Sequence, residues 1–313
     1  MGIHERTAPT AEEYDRWRVD YCNWGRWGDH DELGTLNFVS DDVRRSAAAL
    51  VQEGRVVSCA RSIDTKPGPA NPYPARHMVA MADSGAMCDH LSLFIHGFTE
   101  THLDALCHLP VVEGNETWNG QRLDQYGMPA EHRGTVDFWR DGIVTRGVLY
   151  DIPRLRGTEF VTPGAPVHGW ELADAADAEG IEPRAGDAVL IRSGHGPYYA
   201  STGVRPGFGG AAGVHASCVE FLHDTEASML VWDMQDAPTA DQGIPNPSGN
   251  SPMALHVHHI LLPYMGMPIV DNADLEDVAA TCASLNRWDF QLMIAPLVLT
   301  GGTGSPVNPI ACF

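Results

Sequence analysis

The chain has 313 residues and carries 20 Lys plus Arg against 41 Asp plus Glu, a net charge of −21 with histidine neutral. That excess of acid, with no basic cluster against it, raises the free energy of approach to phosphate backbones and anionic lipid, so neither nucleic acid nor a membrane surface is an expected partner. No run nears the roughly 18 apolar residues that span a bilayer, and the start is polar and acidic, so a cytoplasmic protein is expected. The seven cysteines are odd in number and never in CxxC spacing, which excludes a disulfide framework and a cysteine-built zinc site.

In chain order, Ser40 followed by Asp41 and Asp42 is a helix start and Gly54 a stop, which predicts a helix over 40–53. Val56 and Val57 read as a strand. Leu91, Leu93 and Ile95 alternate with Ser92, Phe94 and His96, which predicts a strand running from 91 to 103. Residues 146–151 form another. A helix over 170–180 ends on Gly180, and Ala188–Arg192 is an apolar run typical of a strand buried on both faces. A helix over 214–223, a strand over 228–232, a helix over 273–285 and a strand over 290–299 follow. The helix–strand alternation of 170–232 points to an α/β fold. No Pro/Gly/Ser-rich linker divides the chain, so one domain over 1–313 is expected, with residues 1–40 as an amino-terminal arm.

The densest group of metal-capable side chains lies between His96 and His108. On an extended chain His96, Glu100, His102 and Asp104 share one face. Imidazole and carboxylate together suit Zn, Mn or Fe, and three protein ligands with an open position leave room for an activated water. Other candidates are weaker. Ser193-Gly194-His195-Gly196 lacks the spacing of a nucleophile elbow. Cys107 beside His108 reads as a packing residue, and Asp233 ends a buried strand, where α/β sites gather.

Thr101-His102-Leu103-Asp104-Ala105-Leu106-Cys107-His108 resembles the core of the signature H-x-G-T-H-x-D-x-P-x-H of the cyclase-like metal-dependent hydrolases, the group that contains bacterial kynurenine formamidase and isatin hydrolase. Residues 23–37, with Trp24 and Trp27 among glycines, resemble the amino-terminal segment of its longer members, and 301–309 resemble their carboxyl end. The resemblance implies a single compact α/β domain with a β-rich core flanked by helices, of the swivelling β/β/α type. It also implies a homo-oligomer, dimer or tetramer, that acts on a small-molecule substrate.

By the same resemblance His102 and Asp104 bind a divalent metal ion, Zn or Mn, with one or two ions per chain, and His108 donates and accepts protons. The signature's first histidine falls on Phe98 and its glycine on Glu100, which leaves His96 or Glu100 to supply that ligand. A second element, a histidine twelve or thirteen residues before an acid, is matched by His259 or His258 before Asp271. Trp27 and Phe98 are the candidates for contact with substrate. The implied activity is opening or cleavage of a small amide, lactone or aryl formamide by a metal-activated water. Metal-dependent cyclisation or dehydration of a carbonyl compound is the alternative, and a catalytically silent metal-binding homologue the third.

Overall fold

The apolar runs around residues 148, 190, 230 and 270 lie side by side in one sheet, because a strand that is apolar on both faces needs cover on both. The computed structural model describes residues 6–68, 71–124, 133–204, 212–249 and 255–313. In chain order its strands are β1 (Val56–Ser58), β2 (Arg76–Met81), β3 (Met87–Ser92), β4 (His102–Asp104), β5 (Glu116–Thr117), β6 (Gln121–Arg122) and β7 (Ile143–Asp151). They continue with β8 (Ala188–Arg192), β9 (Met229–Trp232), β10 (Ile269–Asp271), β11 (Asp289–Ile294), β12 (Gly304–Pro306) and β13 (Ile310–Cys312). Nine of them form a curled mixed sheet, a half-barrel with flanking helices, in the order β1-β13-β11-β7-β8-β9-β10-β4-β12.

Strands β7, β8, β9 and β10 are parallel, while β4 and β12 extend the sheet antiparallel. Side chains alternate across it. Val148, Tyr150, Val189, Ile191, Leu230, Trp232 and Ile269 enter one core, together with Ile260, Leu261 and Leu262. Leu149, Leu190, Met229, Val231, Val270 and Leu103 enter the other. On β4 the burial of Leu103 in the second core turns His102 and Asp104 to the first, which is the face where the site forms.

Several elements differ from the sequence expectation, each for an identifiable reason. The first expected helix spans Asp41–Ala48, capped by Ser40, because the Phe313 carbonyl takes the Glu53 amide and draws the chain away from the helix. The strand expected over 91–103 is interrupted: β3 ends at Ser92 and β4 starts at His102. Between them the Asn272 side chain donates to the carbonyls of Gly97 and Glu100, replacing ladder hydrogen bonds. The helix expected from 214 begins at Cys218, since Val214 instead bridges Val167 and Asp236. The last long strand stops at Ile294, because Pro296 has no amide hydrogen and the Leu297 amide donates to Ser305 Oγ.

The segment expected to be an arm holds a ten-residue helix, Ala11–Asp20, with a Thr10/Glu13 capping box. Its Tyr14 and Trp17 are buried in the first core, and the Tyr14 hydroxyl donates to the His256 carbonyl at 2.7 Å. Among the described residues no helix is long and apolar enough to cross a membrane.

Candidate metal centre

Strand register builds the centre of the site. His102 lies directly opposite Asp271 on the antiparallel β4–β10 pair, and Asp104 lies opposite Gly304 of β12. Residues 258–260 form a helical turn packed on the same face, and from it His258 points inward. Two trios of ligand-capable atoms result, His96/His102/Asp104 and Asp104/His258/Asp271, each with its atoms within 4.8 Å of one another and both sharing Asp104.

Within the cluster His102 Nε2 is 3.5 Å from Asp104 Oδ1 and 3.8 Å from Asp271 Oδ2. His258 Nε2 is 3.7 Å from Asp104 Oδ2 and 3.4 Å from Asp271 Oδ2. Two ligands on one ion with bonds of roughly 2.0–2.2 Å stand about 3.3–3.6 Å apart in a tetrahedral arrangement, so these spacings suit a shared cation. Asp104 Oδ2 has lost its solvent and has no hydrogen-bond partner. A buried carboxylate oxygen in that position is costly unless a cation meets it. The residues present therefore fit a divalent ion.

The outer contacts orient the donors. His102 Nδ1 donates to the Glu100 carbonyl at 2.9 Å, which leaves Nε2 with its lone pair toward the cluster. The Asp236 carboxylate does the same for His258 through Nδ1, a carboxylate–histidine pairing typical of metal sites. Asp271 is fixed by the indole N–H of Trp232 on Oδ1 and by Gln235 Nε2 on Oδ2 at 2.6 Å. Electrostatics favours positive charge here. Burial would raise the Asp104 carboxyl, but His108, His96 and His102 together hold it well below the usual range. Burial would lower His258, but Asp271 and Asp236 raise it well above its ordinary value.

His96 reaches the cluster from the loop after β3, not from a continuous strand. Its Nδ1 is 2.8 Å from Asp104 Oδ1, its Nε2 is 3.0 Å from Thr303 Oγ1, and its ring stacks on His108 at 3.7 Å. Gly304 makes room for it, since a Cβ there would stand 2.5 Å from His96 Cε1 and 2.7 Å from the Leu103 carbonyl oxygen. His108 Nε2 is 3.9 Å from Asp104 Oδ2, and burial lowers the imidazole to about 4.

Of the sequence candidates, His96, His102, Asp104, His108, His258 and Asp271 come together. His259 does not: one helical step from His258, it turns away, and its Nε2 meets Ser248 Oγ at 2.7 Å. Glu100 is buried close by but belongs to neither trio. Trp27 lies with the second core, across the sheet, edge-on to Phe38 at 5.3 Å and tilted against Trp118 at 6.3 Å. It therefore packs the amino-terminal segment and does not face the cluster. Phe98 lines a small cavity that shares His96 with the centre. Burial pushes the Cys107 thiol up to about 12, which fits packing and not nucleophilic use. Asp233 caps the amides of Ser193, Gly194 and His195 at 2.7, 2.8 and 3.0 Å. Sequence reasoning missed the roles of Asp236, Gln235, Trp232 and Thr303. The one signal for the first three was their place at the end of a buried parallel strand.

The half-barrel sheet with its flanking helices is the cyclase-like fold. Residues 27–238, more than half of the chain, match the family model Cyclase, described as "Putative cyclase", and the chain belongs to that family. It is similar to a crystal structure described as a novel cyclase, at 26% identity and a TM-score of 0.77, covering 95% of this chain and 99% of that one. Isatin hydrolase A from Labrenzia aggregata, bound to benzyl benzoate, is 18% identical with a TM-score of 0.54, covering 87% and 98%. Isatin hydrolase A from Ralstonia solanacearum is 18% identical with a TM-score of 0.51, covering 87% and 97%. At that identity the two isatin hydrolases share the fold. No curated protein matches.

Proposed function

We propose that the protein is a metal-dependent hydrolase that opens or cleaves a small amide, lactone or aryl formamide. The observation that carries this reading is the buried, partnerless Oδ2 of Asp104, held among His102, His258 and Asp271 at ligand-to-ligand spacings. Asp104, Asp271, His102 and His258, with His96 beside them, would hold one or two Zn or Mn ions. When bound, such an ion polarises a carbonyl oxygen and lowers the pKa of a water toward neutrality.

The chain's own groups supply the rest. Asp236 and the Glu100 carbonyl fix which nitrogen of His258 and His102 faces the centre. His108, at the edge of the cluster, would take a proton from the attacking water at Nε2 and return it to the leaving nitrogen or oxygen. The stack against His96 keeps its ring in place for both transfers.

A homo-oligomer belongs to the same proposal. Among the described residues strands β2 and β3 pair only with each other, and Met78, Val79, Met81, Met87 and Leu91 are exposed on them. An isolated two-stranded ribbon is marginal in water, and exposed apolar patches mark contact surfaces. A second copy brings the same ribbon, so one two-fold contact covers both.

The test is turnover of lactones, imides and formanilides by metal-loaded protein. Hydrolysis that disappears in His102→Ala supports the reading, while turnover with no net uptake of water favours metal-assisted cyclisation or dehydration, the rival that the family's name brings forward. Tight metal binding without turnover of any kind would contradict both.

A further inference from the structure

Glu100 is buried in the wall of a cavity that it shares with His96, yet neither trio uses it. Only 3% of the residue is exposed, and its Oε1 is buried without a hydrogen-bond partner. The rest of the residue is fixed. Thr99 Oγ1 donates to Oε2, and the main-chain carbonyl accepts from His102 Nδ1 at 2.9 Å and from Asn272 Nδ2 at 3.1 Å. Gly97 leaves the room, since a Cβ there would press to 3.3 Å from Oε2. A buried acceptor kept rigid and unpaired costs stability, and a ligand that completes it is one reason for a protein to retain it.

Glu100 lines a cavity of about 80 Å³ with His96, Phe98, Pro72, Tyr73 and Phe94. A cavity that takes a whole benzene ring measures about 150 Å³, so this space holds one edge of a small ring and not the whole of it. The remainder of a ring would extend past Tyr73 and Phe94, whose rings stand 5.4 Å apart and are mostly exposed. His96 belongs both to this cavity and to the metal-capable trio. A donor on one edge of a ring and a carbonyl on the next can therefore meet Glu100 and the cluster together.

We propose that Glu100 selects the substrate by accepting a hydrogen bond from the ring N–H of a cyclic amide or imide whose carbonyl faces the His/Asp cluster. This rests on the hydrolase reading above. It makes Glu100 a specificity residue and not a metal ligand.

The experiment compares phthalimide with N-methylphthalimide on metal-loaded protein, as kcat/KM and as calorimetric Kd. Pairing a buried acceptor that is otherwise unsatisfied corresponds to about 10- to 100-fold, so the wild type should prefer phthalimide by that factor in both measurements. Glu100→Ala should keep its metal and abolish the preference, read as the ratio of the two compounds within the one variant. Glu100→Gln, nearly isosteric and chosen to preserve the fold, should reduce the preference several-fold. Equal affinities in the wild type, or loss of metal in Glu100→Ala, overturn the proposal. Discrimination in Kd with hydrolysis of neither compound, nor of any lactone or formanilide, would support the role of Glu100 and contradict the hydrolase reading.

Discussion

His102 and Asp271 are residue-to-residue partners across the antiparallel β4–β10 pair, and the imidazole Nε2 of one stands 3.8 Å from the carboxylate of the other. The pairing makes the centre a property of sheet register. A slip of one residue would turn both side chains into the opposite core, which Leu103 and Val270 now occupy. The parallel strands β8 and β9 support that register from the other side, so the rigid middle of the sheet positions the ligands.

Asp236 orients His258, and its removal should be felt at the metal. Asp236→Asn is expected to lower metal affinity about 10- to 100-fold, as the loss of outer-shell partners generally does. His259→Gln, one residue along but bonded to Ser248, should leave affinity unchanged. Competition with a chromogenic chelator measures both.

His108 is assigned to proton transfer and not to metal binding. His108→Asn should retain the full metal content and lose about 10²- to 10⁴-fold in kcat. Parallel metal analysis and steady-state kinetics test this; loss of metal in the variant would show that the assignment is wrong.

Stability should respond to pH through groups remote from the centre. Burial lowers His168 to about 4 and lowers His215 as well. Below pH 6.5 the unfolded chain therefore binds protons that the folded chain refuses, and stability falls as pH drops from 6.5 toward 4. Glu179 acts in the opposite sense. Burial raises it to about 8, so the folded chain holds a proton that the unfolded chain releases above 4.5, and this contribution declines as pH rises from 4.5 to 8. Differential scanning calorimetry should show His168→Gln with a shallower acid limb. Glu179→Gln should gain about 1.5 °C in Tm at pH 8, the shift that about 1 kcal/mol brings to a chain of 313 residues at about 2.1 cal/mol/K of unfolding entropy per residue.

The ribbon of β2 and β3 supplies a prediction about association. Met81→Glu with Met87→Glu places two charges on facing residues of the exposed pair. Light scattering should report an oligomer for the wild type and a smaller species for the double variant. A monomeric wild type would remove the ribbon as a self-contact.

Much of the site was legible in the sequence because it is local. His102, Asp104 and His108 lie within seven residues, and their spacing survives whatever the rest of the chain does. The buried strands β8 and β9 were equally clear from unbroken apolar runs. What was not legible depends on distant partners. The break in the expected 91–103 strand is made by Asn272, more than 170 residues away. The choice between His258 and His259 is a matter of helical phase, which spacing to Asp271 leaves open. Asp236 acquires its role only when the turn at 258–260 folds back over the end of β9.

The central claim is a cation held by Asp104 and its neighbours, and elemental analysis of protein purified without added metal tests it most directly. The expected result is at least one equivalent of Zn or Mn per chain in the wild type and a nearly complete loss in Asp104→Ala. A wild type that carries no divalent ion and takes up none from solution, or an Asp104→Ala variant that retains it, would contradict the account.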